Sequence, residues 1–128
     1  MDRADLELVL AIREQVVSGV KQLFKQQSSP SDLAVAWAKI PQNLLFDWFC
    51  QWAQLILRYK MTEDESQLGL PDMQVVLKHL APRVSLELLL DTQNWLLEHR
   101  QKVLRRVPLR PDLLLEALLV RWQALLPR

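Results

Sequence analysis

PQNLLFDWFCQWAQLILRYKM, residues 41–61, is the stretch on which the fold turns. Its polar residues Asn43, Asp47, Gln51, Gln54 and Arg58 step by four, four, three and four, so on a helix they form one thin stripe. The rest of that surface is large and apolar: Leu44, Leu45, Phe46, Trp48, Phe49, Trp52, Leu55, Ile56, Leu57 and Tyr59. A helix this apolar lies at the centre of a domain, wrapped by other helices. Full burial of each such side chain is worth roughly 1.5–3 kcal/mol. Pro41 suits the start of this helix, since proline is tolerated in the first turn.

The surrounding segments have the same helical period. From about 4 to 26, Leu6, Val9, Leu10, Val16, Val17, Val20, Leu23 and Phe24 form a stripe, with Arg13 inside it. Gly19 falls in mid-helix and costs about 1 kcal/mol relative to alanine; a close helix crossing is the expected reason. Ser28-Ser29-Pro30-Ser31 breaks the chain, and a short helix over about 31–39 follows, with Pro30 and Ser31 supplying start signals. Residues 62–70, with Glu63, Asp64, Glu65 and Gly69, read as an exposed loop. Pro71 opens a fourth helix carrying Met73, Val76, Leu77 and Leu80, closed by Pro82. Ser85 caps a long fifth helix whose apolar face is Leu86, Leu89, Leu90, Leu96, Leu97, Val103 and Leu104, stopped by Pro108. Pro111 opens the sixth. The expectation is an all-α single domain over 1–128, a bundle of about five to six helices.

The totals agree. The chain has 128 residues, half of them hydrophobic and 24% charged, enough for one domain with a real core. Only two glycines occur, too few for the turns of a β-rich fold of this size. A net charge of +1 creates no global field to recruit nucleic acid or an anionic membrane. The lone Cys50 excludes an internal disulfide and suits a reducing compartment. MDRADLELVL places acidic residues where a signal peptide is basic, and charges interrupt every apolar run short of a bilayer span. A cytoplasmic protein with no membrane contact is expected.

Nothing along the chain has the spacing of a catalytic site. His79 and His99 lie on different helices with no cysteine or paired carboxylates at ligand spacing, and there is no phosphate loop, dinucleotide glycine motif, zinc-type cysteine pair or Gly-x-Ser-x-Gly turn. The chain is expected to be no enzyme, to hold no metal or cofactor and to take no small-molecule ligand.

Two features point to partners. The sixth helix, 111–126, is apolar nearly all round, with Asp112, Glu116 and Gln123 on one narrow stripe and Arg121 opposite, among leucines. Such a helix is buried or faces a partner. Trp122 beside Arg121 is the pairing enriched at interface hot spots; equally, this helix can plug its own domain's core. The candidate interface is Leu114, Leu118, Arg121, Trp122 and Leu125, with Arg121 expected to find a carboxylate or helix-end carbonyls. The second feature is the basic run HRQKVLRRVPLR, 99–110, a candidate nucleic-acid contact through Arg100, Lys102, Arg105, Arg106 and Arg110. Cations at a helix C-terminus also simply complement its dipole, and no aromatic residues interleave to stack on bases.

The order of segments carries a resemblance. LAVAWAKI (33–40) precedes LLFDWFCQWAQLILRYK (44–60); LPDMQVVLKHLA (70–81), LLLDTQNWLLEHRQKVL (88–104) and LRPDLLLEALLVRWQALLP (109–127) follow. This succession resembles the C-terminal collar domain of the delta prime subunits of bacterial DNA polymerase III, along essentially the whole chain. Its closing RPDLLLEALLVRW is similar to the family's final helix, which opens with an Asn-Arg-Glu-Leu-Leu-type motif. The resemblance implies a role in DNA replication. Such helical domains pack with those of other clamp-loader subunits into a ring, and the assembly loads the sliding clamp on primed DNA, so any DNA contact is indirect. It further implies a fragment lacking the preceding ATPase-like domains, with no nucleotide, zinc or clamp-contact residue to carry over. The parent holoenzyme of the family is a DNA-directed DNA polymerase. The rival readings are a nucleic-acid-binding module using Arg100–Arg110, and a small-molecule-binding bundle with a pocket lined by Trp48, Trp52 and Trp95.

Overall fold

The structure, a computed structural model, describes residues 3–106 and 110–126. Six α-helices and one 3-10 turn make up its regular elements: α1 (Arg3–Phe24), α2 (Pro30–Ala36), α3 (Gln42–Thr62), the turn Glu65–Gln67, α4 (Pro71–Leu80), α5 (Leu86–Leu104) and α6 (Pro111–Gln123). The chain is all-α, as its periodicity predicts. Proline sits in the first turn of α2, α4 and α6, where its missing N–H would be unpaired anyway. Ser85 caps α5 by accepting from the Leu88 amide at 3.1 Å. At α2 the cap is Ser29, accepting from Asp32, so Ser31 belongs to the helix rather than starting it. The expected stop at Pro108 lies outside the described residues.

α3 is the hub. Leu45, Phe46, Phe49, Trp52, Ala53 and Ile56 are buried, and the predicted polar line Asn43, Asp47, Gln51, Gln54 and Arg58 is its exposed edge. α5 packs along α3, and α4 packs beside it, held by Lys60, which donates to the Ala81 carbonyl at 3.0 Å. α2 lies on α6, and Ser31 donates to Glu116 across that seam at 2.8 Å. Phe49 joins these halves: its ring meets Trp52 edge-on at 5.0 Å and Trp122 at 4.9 Å, with Trp37 at 6.3 Å. Edge-to-face pairs add about 0.5–1.5 kcal/mol each to the value of the area they bury. The 62–70 loop is not wholly exposed, because Leu68 turns inward and is buried.

Gly19 is where α1 meets α2. A Cβ there would lie 2.6 Å from Cζ2 of Trp37 and 3.1 Å from Leu33 Cδ2. Gly19→Ala gains about 1 kcal/mol of helix propensity. Against that stands overpacking onto a buried, rigid indole, about 1–3 kcal/mol. The clash wins, so the variant should melt below the parent; a higher melting temperature would show that the indole swings aside freely.

Candidate functional site

The five residues read as an interface have different surroundings from those expected. Leu114, Leu118, Trp122 and Leu125 are buried in the chain's own core. Their partners are α2 and the α3 aromatics, so α6 acts as the plug of its own bundle. The outward positions of α6 include Leu113 and Val120, both about half exposed, with Asp112 and Arg121. Arg121 is therefore not a charge enclosed by leucines. Its guanidinium lies 4.9 Å from the Trp95 ring centroid, a cation-π contact in place of the expected carboxylate or carbonyls. Such a contact at an exposed site is worth about 0.5–1 kcal/mol. Arg121→Ala should cost no more than that in denaturation and leave the domain folded; a loss above about 2 kcal/mol would mean that Arg121 carries buried structure.

Trp95 continues a stack. His99 lies parallel to it at 4.1 Å and donates Nδ1–H to the Trp95 carbonyl at 2.9 Å, while Phe46 stacks at 6.2 Å. Trp48 and Trp52 instead flank the Arg13 guanidinium at 5.7 and 5.6 Å. The aromatic residues that the pocket reading groups together thus serve two separate stacks.

The basic run is largely neutralised locally. Arg100 donates to Asp47 at 2.6 Å, Lys102 pairs with Glu98 at 3.6 Å, and Arg110 pairs with Asp112 at 3.2 Å. Arg105 and Arg106 are exposed at the end of α5, Arg106 with a positive φ of 56°. Residues 107–109 lie outside the described residues. Three of the run's five candidate cations thus have a carboxylate beside them, while Arg105 and Arg106 face outward.

One buried charge has a partner that the sequence does not reveal. Arg13, on the apolar stripe of α1, is buried and forks onto Asp72 of α4, Nε to Oδ2 at 2.7 Å and Nη2 to Oδ1 at 3.0 Å. Those hydrogen bonds, against some desolvation, hold the Asp72 carboxyl below its ordinary value of 3.8. Arg13 within a leucine and valine stripe signals that a carboxylate must meet it, but the fold alone says which one. Cys50 lies beside the Arg100–Asp47 pair, and burial pushes its thiol up to about 11. Among the described residues, no three His, Cys, Asp or Glu side chains gather as a metal site would require, and no helix is long and apolar enough to cross a membrane.

Among the described residues the chain is a bundle centred on α3 and closed by α6, with its aromatic residues largely buried. The family model for the DNA polymerase III delta subunit, C-terminal part, matches residues 7–124, from α1 through the end of α6. The chain belongs to this family. It is also similar to DNA polymerase III subunit delta' of Pseudomonas aeruginosa, with 52% identity over 113 residues, 88% of this chain and 34% of that protein. The chain thus spans about a third of the length of the curated relative it matches. No solved structure matches it. The five quoted segments that carry the resemblance fall on α2 to α6 in order.

Proposed function

We propose that this chain serves DNA replication as the collar, or oligomerisation, domain of a clamp-loader subunit. It binds the helical domains of neighbouring subunits and contributes no catalytic group of its own. The observation that carries this reading is the likeness to a DNA polymerase III delta' subunit over 88% of the chain. Two structural features support it. The core is complete within the chain, so the domain offers a rigid body rather than a half-core awaiting a partner. Yet leucines remain exposed in numbers on α1 and α5, among them Leu6, Leu10, Leu90 and Leu97. In this reading DNA is met through the assembly, since Arg100, Lys102 and Arg110 are already engaged by carboxylates.

The test is reconstitution of the full-length protein with the other clamp-loader subunits of its source. A complex that survives gel filtration at sub-micromolar concentration is expected. A protein that elutes alone in the presence of excess subunits, or that turns over a nucleotide through residues of this chain, would end the proposal.

A further inference from the structure

The Arg13–Asp72 fork bridges α1 and α4, and toward the C-terminal ends of both helices a cleft of about 490 Å³ opens between them. Its floor is apolar: Leu80 is buried, and Phe24, Val76 and Leu126 are partly buried. Its rim is cationic, with Lys21 and Lys25 on the α1 side and His79 on the α4 side. The Lys25 amide donates to the Lys21 carbonyl at 3.1 Å, so the two lysines stand one helical turn apart on the same face. Like charges at that spacing repel. Among the described residues neither ammonium has a carboxylate at ion-pair distance. An apolar concavity of this size with a few convergent polar groups is the ordinary form of a binding site.

The charges around the cleft decide the sign of its occupant. Among the described residues no carboxylate lines it. On the two helices and the turn before α4, Asp72 has both oxygens held by Arg13, Glu14 lies two turns before Lys21, and Glu65 is paired with Lys78. Arg83, which donates to the His79 carbonyl at 2.7 Å, adds positive charge at the α4 end. The C-terminal ends of α1 and α4 each carry roughly half a negative unit from the helix dipole, about one unit against two ammonium groups and a guanidinium. The cleft therefore stays positive. A phosphate backbone would pair with the lysines but leave the apolar floor wet. A wholly apolar segment would cover the floor and strand the lysines without partners. A carboxylate beside a large apolar side chain meets both demands. Val75 at the lip is 76% exposed, so the cleft is open outward and its occupant runs on past it, as a polypeptide does. Resting on the assembly reading above, we propose that this α1–α4 cleft seats an acidic segment of another subunit, its Asp or Glu between Lys21 and Lys25 and its apolar residue on Phe24, Val76 and Leu80. A second copy would dock head to tail, a contact that grows into open fibres unless its rotation closes a ring.

The experiment uses the full-length protein and the other clamp-loader subunits of its source. Lys21→Glu/Lys25→Glu should lower the affinity for the neighbouring subunit at least about tenfold while its unfolding curve stays close to the parent's. Lys21→Arg/Lys25→Arg keeps the charge and should bind as the parent does. Val75→Glu sets a carboxylate at the exposed lip and should weaken binding as the charge reversal does. In the parent complex, carbodiimide coupling, which joins an amine directly to a carboxylate, should link Lys21 or Lys25 to a partner Asp or Glu that lies beside a large apolar residue. That reading holds even if a variant misfolds. A parent protein that binds no subunit overturns the assembly reading and the cleft together. Assembly by the parent without such a link, or undiminished binding by the folded charge-reversal variant, overturns the cleft alone. A link from Lys21 or Lys25 to a carboxylate of this same protein, in its own or a second copy, overturns the choice of another subunit.

Discussion

Trp52→Ala should lower the unfolding free energy by about 3–5 kcal/mol, the range for removing a buried tryptophan. Trp52 is 1% exposed at the middle of α3. Its ring carries Phe49 edge-on at 5.0 Å, Trp122 at 6.4 Å and the Arg13 guanidinium at 5.6 Å. Truncation therefore opens a cavity bordered by two rigid rings, which cannot collapse into it. It also strips one aromatic face from a buried charge. A loss of that size is a large fraction of the roughly 5–15 kcal/mol typical of a domain. Urea denaturation followed by far-ultraviolet circular dichroism measures it without relying on tryptophan emission. A loss below about 1 kcal/mol would mean that α3 is not the hub.

Asp72→Asn should cost about 1–3 kcal/mol at neutral pH, because it leaves the buried Arg13 without its counter-charge. The lower part of the range for broken buried pairs applies, since the Asp72 side chain is itself 36% exposed and water partly takes over. The pH dependence has a definite sign. The carboxyl titrates lower in the folded protein than its ordinary 3.8. Its contribution is therefore fully present above that value and drains away as the pH falls through the lower, folded one. The parent should lose stability on acidification below 3.8, and the Asp72→Asn variant should lose less over the same window. Parallel acid limbs for the two proteins would show that the Arg13–Asp72 fork does not contribute to stability.

Much of the architecture can be read from residue order. Prolines 30, 41, 71 and 111 mark helix starts within a residue or so, and the five polar residues of α3 are its exposed line because one narrow stripe is all that water needs. The interface is harder to read, for a physical reason. A helix apolar on every side says that it is covered, not by what. Leu114, Leu118, Trp122 and Leu125 satisfy that demand inside their own bundle because α2 is only seven residues long and leaves the α3 aromatics to be roofed by something else. The clue to an outward face is instead the width of the apolar arc of α5. Leu89 and Leu96 face the bundle, while Leu86, Leu90 and Leu97 on the same helix stay 40–45% exposed. The Arg13–Asp72 pair spans 59 positions, and no local pattern links its two ends.

The pairing of α2 with α6 sets the order in which this chain acquires its structure. α4 follows α3 directly and the Arg100–Asp47 pair between α5 and α3 spans 53 positions, whereas the Ser31–Glu116 bond joins residues 85 positions apart. Closing so long a loop costs chain entropy before any contact repays it. Docking of α6 onto α2 is therefore expected to come late, after the folding barrier. Shortening Leu115 or Leu119, both buried on α6, should accelerate unfolding while leaving the refolding rate nearly untouched in stopped-flow chevrons. The same two helices should then be the first to part when the native state opens, ahead of the α3–α5 core, which native-state hydrogen exchange would read.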